Sequence, residues 1–288
     1  MKILLMLAMC CLGFSTEVFA FGMSVGGFGS GPLGGNNKDM QRARHVKQIY
    51  QLARALIPIS DEEETALGRG VVKQILTRYQ LDHNPEQTYY LNVLGTALAQ
   101  RSERPQLQYH FAILATDDVN AYAAPGGFIF VTRGALNMVQ DEAELAAILA
   151  HEIAHVTERH IVKALQQSRL MSVGKEAVAD AFKVPDKIFD QMTKFATNAL
   201  FKGLKKKDEY AADAKGIQYL DRLGYDSPAM YDVLELLDER RKQGKTKVLA
   251  KTHPRPSDRL KKLKSKSEEL GLYQPTGIRL PERFHHFI

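Results

Sequence analysis

The sequence predicts an α+β fold that is mostly α-helical, with one small antiparallel sheet. Three observations lead to this prediction. Most of the chain from residue 38 to 270 carries apolar side chains at helical spacing, one short region alternates with the period of strands, and no internal repeat indicates a solenoid. With 44% hydrophobic and 25% charged residues, the 288-residue chain has the composition of a globular protein rather than a disordered one.

The first 20 residues have the features of an export signal. Lys2 precedes an apolar run at 3–14, and residues 18–20 place small side chains where signal peptidase reads them. The run is shorter than the roughly 20 residues that a membrane-spanning helix needs. We therefore predict a signal peptide and an exported protein, most simply a periplasmic one. Lipid attachment at Cys10 or Cys11 is the alternative.

Composition excludes two classes of chemistry. Cys10 and Cys11 are the only cysteines, so the rest of the chain has no thiol for a disulfide, a metal ligand or a nucleophile. The formal net charge of +6 is too small to indicate nucleic-acid binding, although lysines cluster after residue 240. A solvated surface, or weak peripheral contact with anionic membrane headgroups, explains those lysines more simply. We expect no nucleic-acid partner.

The N-terminal elements are predicted from local signals. Residues 21–37 are rich in glycine, which is typical of a flexible leader. Helical spacing predicts a first helix within 38–57, which ends before a proline. A second helix begins at Ser60, because Glu63 completes a capping box, and a third is predicted over 86–101.

Strands are predicted where the apolar period changes from 3.6 to 2. Residues 109–113 alternate as one strand, residues 128–131 form another, and Pro-Gly-Gly at 125–127 turns between them. Helical signals then return in several pieces over 134–236. The predicted organisation is a signal peptide at 1–20, a leader at 21–37, one domain at 38–270 and a C-terminal tail at 271–288.

The most informative motif is an H-E-x-x-H formed by His151, Glu152 and His155 on a helix with an apolar face. Residues four apart share a helical face, so both imidazoles can aim at one point. Zinc accepts neutral imidazole nitrogen, and the intervening glutamate can reach a water molecule at the metal. Two surface histidines would be the alternative, but alanine and isoleucine surround the motif. The pattern therefore indicates metal-assisted hydrolysis.

Two histidines leave zinc short of a third protein ligand. One class of zinc peptidases places a third histidine six residues after His155, but Ile161 occupies that position here. His160 comes one residue early and rotates off the ligand face, so we interpret it as a structural residue or as one that supports a ligand. Glu209 on a later helix would complete the ligand set, and Asp213, one turn on, could accept the free N–H of a ligand imidazole. A solvated acidic face on a lysine-rich helix is the alternative.

The chain resembles the zinc metallopeptidases of family forty-eight, which include HtpX-like membrane proteases and CAAX prenyl endopeptidases. It is most similar to the soluble, exported bacterial members. The membrane-spanning helices of the integral members have no counterpart in this sequence. The helical repeats of some periplasmic relatives have none either, so the roles of those regions in substrate recruitment do not transfer. The matching segments are NAYAAPGG from Asn120, VTRGAL from Val131, ELA from Glu144, HEIAH from His151, EYAAD from Glu209 and THPRP from Thr252.

The resemblance implies a gluzincin-type helical metallopeptidase domain with its small sheet beside the H-E-x-x-H helix. It implies one Zn²⁺ per chain, Glu152 as the base and Asp213 beside the ligands. It also implies that the segment around 120–130 is a sheet edge against which a polypeptide substrate lies extended. The zinc ligands implied are His151, His155 and Glu209, and the candidate substrate contacts are Asn120, Gly127 and Phe128.

His253 is a further catalytic candidate, in a loop stiffened by Pro254 and Pro256. Hydrolysis of this type needs a group opposite the base that stabilises the oxyanion, and an imidazole can do so. Neutral imidazole also binds zinc, so the same residue could close the fourth coordination position as an inhibitory plug. An exposed loop histidine without a role is the third interpretation, although the resemblance supports a place beside the active site.

Taken together, these patterns predict a zinc-dependent endopeptidase of the bacterial cell envelope that hydrolyses misfolded or unassembled proteins. The alternative is a chaperone-like or binding protein whose zinc-stabilised protease site is dormant. Because both would need the same ligands, the sequence leaves them open. It predicts neither the physiological substrate nor the oligomeric state.

Overall fold

The computed structural model describes residues 41, 58–173, 185–244, 249–270 and 277–288. The predicted signal peptide, the leader and, except for Gln41, the predicted first helix lie outside these residues. The described elements are α1 (Asp61–Leu76), α2 (Pro85–Ala99), β1 (His110–Leu114), β2 (Ala121–Ala124), β3 (Phe128–Thr132), α3 (Arg133–Leu136), α4 (Glu142–Thr157), α5 (His160–Val173), α6 (Pro185–Lys202), α7 (Lys206–Leu223), α8 (Ala229–Lys242), α9 (Leu249–Thr252), α10 (Pro256–Leu270) and α11 (Pro281–Phe287).

The predicted mostly helical α+β class is confirmed, and so are two predicted helix starts. Ser60 and Glu63 form the reciprocal capping box of α1, with the Ser60 backbone N–H donating to Glu63 Oε2 at 2.9 Å. Helix α2 begins one residue earlier than predicted, because the Asn84 side chain caps it and proline occupies its first turn. None of the described helices has the length and apolarity needed to cross a membrane.

The prediction of an antiparallel sheet is wrong for one of its two strand pairs. The sheet has the order β1-β3-β2, in which β3 pairs antiparallel with β2 but parallel with β1. The cause is β2, a strand that the apolar period did not reveal because all four of its residues are buried. The turn at 125–127 joins β2 to β3 rather than β1 to β3, so the chain enters β3 in the direction of β1.

Helix α4, which carries the H-E-x-x-H motif, forms the centre of the core and packs most extensively against α7. Gly216 makes this close approach possible, since a Cβ there would lie 3.3 Å from the backbone nitrogen of His151. The sheet covers another side of α4, and residues from Tyr50 onward belong to one compact unit. The motif is therefore held between α7 and the sheet.

Residues 277–288, the described part of the predicted C-terminal tail, pack on this domain. Phe284 of α11 is buried in the main core, and Phe287 stacks on Tyr90 of α2 with ring centroids 4.8 Å apart. The backbone N–H of Ala143, at the start of α4, donates to the carbonyl of Arg279 at 3.2 Å. We call residues 277–288 the C-terminal strap, because they contact the helix that carries the motif.

Candidate active site

The two motif histidines converge as their spacing predicts. Their Nε2 atoms are 3.1 Å apart, and both side chains are buried. Burial lowers the pKa of His155, which favours the neutral form that binds metals. Burial and Arg259 also lower the pKa of His151, but Asp213 and Glu209 outweigh them and raise it to about 9.

Glu209 lies beside both imidazoles, on the first turn of α7. Its Oε2 is 3.6 Å from His151 Nε2, and its Oε1 is 3.7 Å from His155 Nε2. Tetrahedral ligands about 2.0–2.1 Å from zinc are about 3.3 Å from one another, so these three donors have the separations of a zinc ligand set. The nitrogen and oxygen donors also match the preferences of zinc. The residues present thus fit the metal that the motif implies.

The second ring nitrogens of the two histidines have buried partners. Nδ1 of His151 lies 2.9 Å from Asp213 Oδ1, and Nδ1 of His155 lies 2.9 Å from Nδ1 of His160. Such contacts fix the tautomer and the ring orientation of metal-binding histidines. Asp213 therefore lies where the sequence predicted, and His160 contacts the site through His155.

Arg259, on α10, is a site residue that the sequence analysis missed. Its guanidinium is buried and donates to both oxygens of Asp213, at 2.9 Å from Nε and 2.5 Å from Nη2. Burial alone would raise the pKa of Asp213, but Arg259 and His151 hold it well below its usual range. The sequence feature that could have revealed it is the position of Arg259, a lone arginine on the apolar face of a lysine-rich helix.

Glu152 is buried next to the ligands and is surrounded mainly by apolar groups. This burial raises the pKa of Glu152 to about 7, against a weaker opposing effect of His151. A carboxylate with a pKa near neutrality can both accept and return a proton at physiological pH. A pKa in this range suits a general base.

Two small cavities meet at Glu152. The first, of about 40 Å³, is lined largely by apolar side chains such as Ile148 and Met230. The second, of about 30 Å³, is lined by Leu200 and Leu204 among others. Glu152 thus lies between two sites that can each take a small apolar group.

His253 lies over the site rather than in solvent. Its Nδ1 is 3.3 Å from Glu209 Oε2, and it belongs with His151 and Glu209 to a group of donor atoms within 4.8 Å of one another. Burial lowers the pKa of His253 to about 4, so its imidazole is neutral at pH 7. These contacts exclude the interpretation of an exposed loop histidine.

Of the three predicted substrate contacts, Asn120 alone borders the site. It precedes β2 and lines the 40 Å³ cavity, and its buried Nδ2 has no hydrogen-bond partner among the described residues. Gly127 and Phe128 do not line either cavity at Glu152. The carbonyl of Gly127 accepts from His110, and Phe128 belongs to β3, which is paired on both sides and has no free edge. The edge strand beside Glu152 is β2.

Comparison with known proteins agrees with this geometry. The model of peptidase family M48 matches residues 85–267, more than half of the chain. The chain belongs to peptidase family M48. The predicted family is thereby confirmed, and the relatives that match are named as proteases or metalloendopeptidases.

Three curated relatives resemble this M48 chain over most of its length. The β-barrel assembly-enhancing protease of Yersinia pestis is 30% identical over 74% of this chain and 45% of its own. Its Escherichia coli K12 namesake is 28% identical over 79% of this chain and 48% of its own. The mitochondrial metalloendopeptidase OMA1 of Schizosaccharomyces pombe is 27% identical over 76% and 65%. The chain thus spans about half the length of the bacterial relatives.

Proposed function

We propose that the protein is a zinc-dependent endopeptidase of the bacterial cell envelope that hydrolyses misfolded or unassembled proteins. The observation that carries this proposal is the convergence of His151, His155 and Glu209 at zinc-ligand separations beside the buried Glu152. The predicted export signal supports the location. The bacterial relatives are named for enhancing β-barrel assembly, so polypeptides awaiting assembly are the substrates that we propose.

In this proposal His151, His155 and Glu209 hold the zinc ion. Zinc at such a site supplies Lewis acidity. Asp213 and His160 keep the two ligand imidazoles in the required orientation through their Nδ1 atoms.

Glu152 takes a proton from the attacking water and passes it to the leaving amine. Its pKa of about 7 allows both transfers, because neither protonation state is strongly favoured at neutral pH. The surrounding apolar side chains exclude bulk water and strengthen its interactions with charged groups.

The substrate adds to the sheet as a further strand along β2. Main-chain hydrogen bonds then provide the affinity, and this recognition depends little on substrate sequence. Asn120 supports this position, because its unpaired Nδ2 can donate to a substrate carbonyl. Low sequence selectivity suits a protease of misfolded chains.

Incubation with unfolded casein tests this function. Zinc-loaded protein is expected to produce casein fragments, and a chelator is expected to prevent their formation, because the ligands lose their metal. An intact substrate in both reactions would contradict the proposal.

A second candidate function is that of a chaperone-like or binding protein with a dormant site. The position of His253 favours it, since its Nδ1 lies at a ligand-like 3.3 Å from Glu209 and could occupy the fourth coordination position. Such a protein would suppress the aggregation of casein without cutting it. Light scattering and gel analysis of the same reaction distinguish the two functions.

A further inference from the structure

An open groove of about 520 Å³ has His253 in its lining. Its volume lies in the range of small-ligand sites. His253 and Leu249 line both this groove and the cavity that contains Glu152, so the two adjoin at these residues. Neither the family nor the ligand set assigns a role to the groove.

Positive charge dominates the described lining of this groove. Lys206 from the start of α7, Arg241 from the end of α8 and Arg255 from the loop before α10 face it, against the single carboxylate of Asp258. Three elements that are far apart in the sequence therefore bring their cations to the same opening.

The existing ion pairs neutralise these cations only in part. Lys206 Nζ is 3.5 Å from Asp258 Oδ2, a loose and exposed contact. Arg241 Nε is 3.4 Å from Asp238, a carboxylate that Lys242 already pairs with at 2.9 Å. Arg255 is exposed and has no ion-pair partner among the described residues. A net positive charge remains available to a ligand.

We propose that this groove is a carboxylate-binding subsite for the peptide substrate. The inference rests on the proposed peptidase function, because it takes the occupant to be a substrate held beside Glu152. Since His253 lines both the groove and the cavity at Glu152, the bound carboxylate belongs to a residue close to the scissile bond. Two sources have this chemistry: an Asp or Glu side chain of the substrate, and the carboxylate at its C-terminus.

Peptide binding to the full chain carrying Glu152→Gln tests the subsite without requiring cleavage. The probes are fluorescent peptides in which alanines are flanked by glutamates, with glutamine counterparts, each with a free or an amidated C-terminus. By fluorescence anisotropy, we expect the favoured carboxylate to tighten binding by about five- to tenfold, and added salt to reduce this preference.

Arginine variants test whether the groove causes the preference for carboxylate-containing peptides. Added to the Glu152→Gln chain, Arg255→Gln and Arg241→Gln should each reduce it by about two- to fivefold. Arg240→Gln is the matched control, because this neighbour of Arg241 on α8 carries the same charge but does not line the groove. It should leave the preference unchanged.

The outcomes are distinct. A preference for glutamate that persists with amidated peptides identifies side chains as the source, and a preference for the free C-terminus identifies the terminal carboxylate. Equal binding of all peptides, no binding, or equal effects of the Arg240 and Arg255 substitutions would overturn the subsite. If acidic peptides bind as expected but zinc-loaded wild-type protein never cuts them, the proposed function fails while the subsite stands.

Discussion

The orientation of the two motif histidines depends on their second ring nitrogens. Asp213 holds Nδ1 of His151, and Arg259 in turn holds Asp213 by two hydrogen bonds. Partners of this kind contribute to metal affinity without touching the metal, because they fix the direction of the ligand lone pair. The contribution of Asp213 can therefore be measured separately from that of the ligands.

Replacing Asp213 with Asn should weaken zinc binding by about 10- to 100-fold, because His151 loses its anionic partner. Competition with a chromophoric zinc chelator measures this. Asp221→Asn is the matched control, since Asp221 lies on the same helix but is exposed. Equal zinc affinities of the two variants would contradict the proposed role of Asp213.

His253→Ala distinguishes the two roles left for this residue. A plug, for which the 3.3 Å contact of His253 Nδ1 with Glu209 argues, predicts a gain in peptidase activity, because the fourth coordination position is freed. An oxyanion donor would instead give a loss of kcat of about 10²-fold or more. Initial rates on a peptide decide between them, with the exposed His83→Ala as control. Unchanged activity would eliminate both roles.

At the scale of elements, the C-terminal strap holds the start of helix α4. Arg279 binds Asp141, the N-cap of α4, at 2.7 Å and Glu144 at 3.3 Å, and it also contacts two carboxylates of neighbouring elements. Arg283 binds Glu142, which also accepts from Tyr90 and Tyr225. The acidic first turn of the motif helix is thereby neutralised by residues outside the matched family region.

Arg279→Ala should lower the free energy of unfolding by about 2 kcal/mol or more, because hydrogen bonds to charged groups are lost and their carboxylates repel one another. Urea unfolding at pH 7 measures this. Lys264→Ala removes an exposed ion pair with Glu235 and should cost less than about 0.5 kcal/mol. Similar losses in both variants would show that the strap does not hold α4.

Glu142 should make stability depend on pH. Burial raises the pKa of Glu142, but the hydrogen bonds from Arg283, Tyr225 and Tyr90 outweigh it, so the folded value lies below the ordinary one. The stabilisation is therefore complete above the unfolded pKa of about 4.3 and is lost as the pH falls through the folded value. Urea unfolding across this range should show a shallower loss in Glu142→Gln than in wild type. Parallel curves would contradict this contribution.

For the molecule as a whole, local signals predicted α1, α2 and the helix that carries the motif, but not the separate helices after residue 240. The capping box at Ser60 and the apolar face around His151 specify their structures within a few residues. Strand β2 was not predicted, because full burial removes the alternation that reveals a strand. Without β2 between them, β1 and β3 were predicted to be antiparallel, whereas they are parallel. The contacts of Arg259 and of the C-terminal strap escaped because they join residues far apart in the sequence, which periodicity does not relate.

The central claim is that Glu152 is the base of a zinc peptidase whose ligands are His151, His155 and Glu209. Zinc content and casein cleavage, measured on the same preparations of wild type and Glu152→Gln, test it most directly. We predict one zinc per chain in both proteins and a loss of cleavage of at least about 10²-fold in the variant, since the ligands are intact and only the base is removed. A zinc-loaded Glu152→Gln protein that cleaves casein as fast as wild type would contradict the claim.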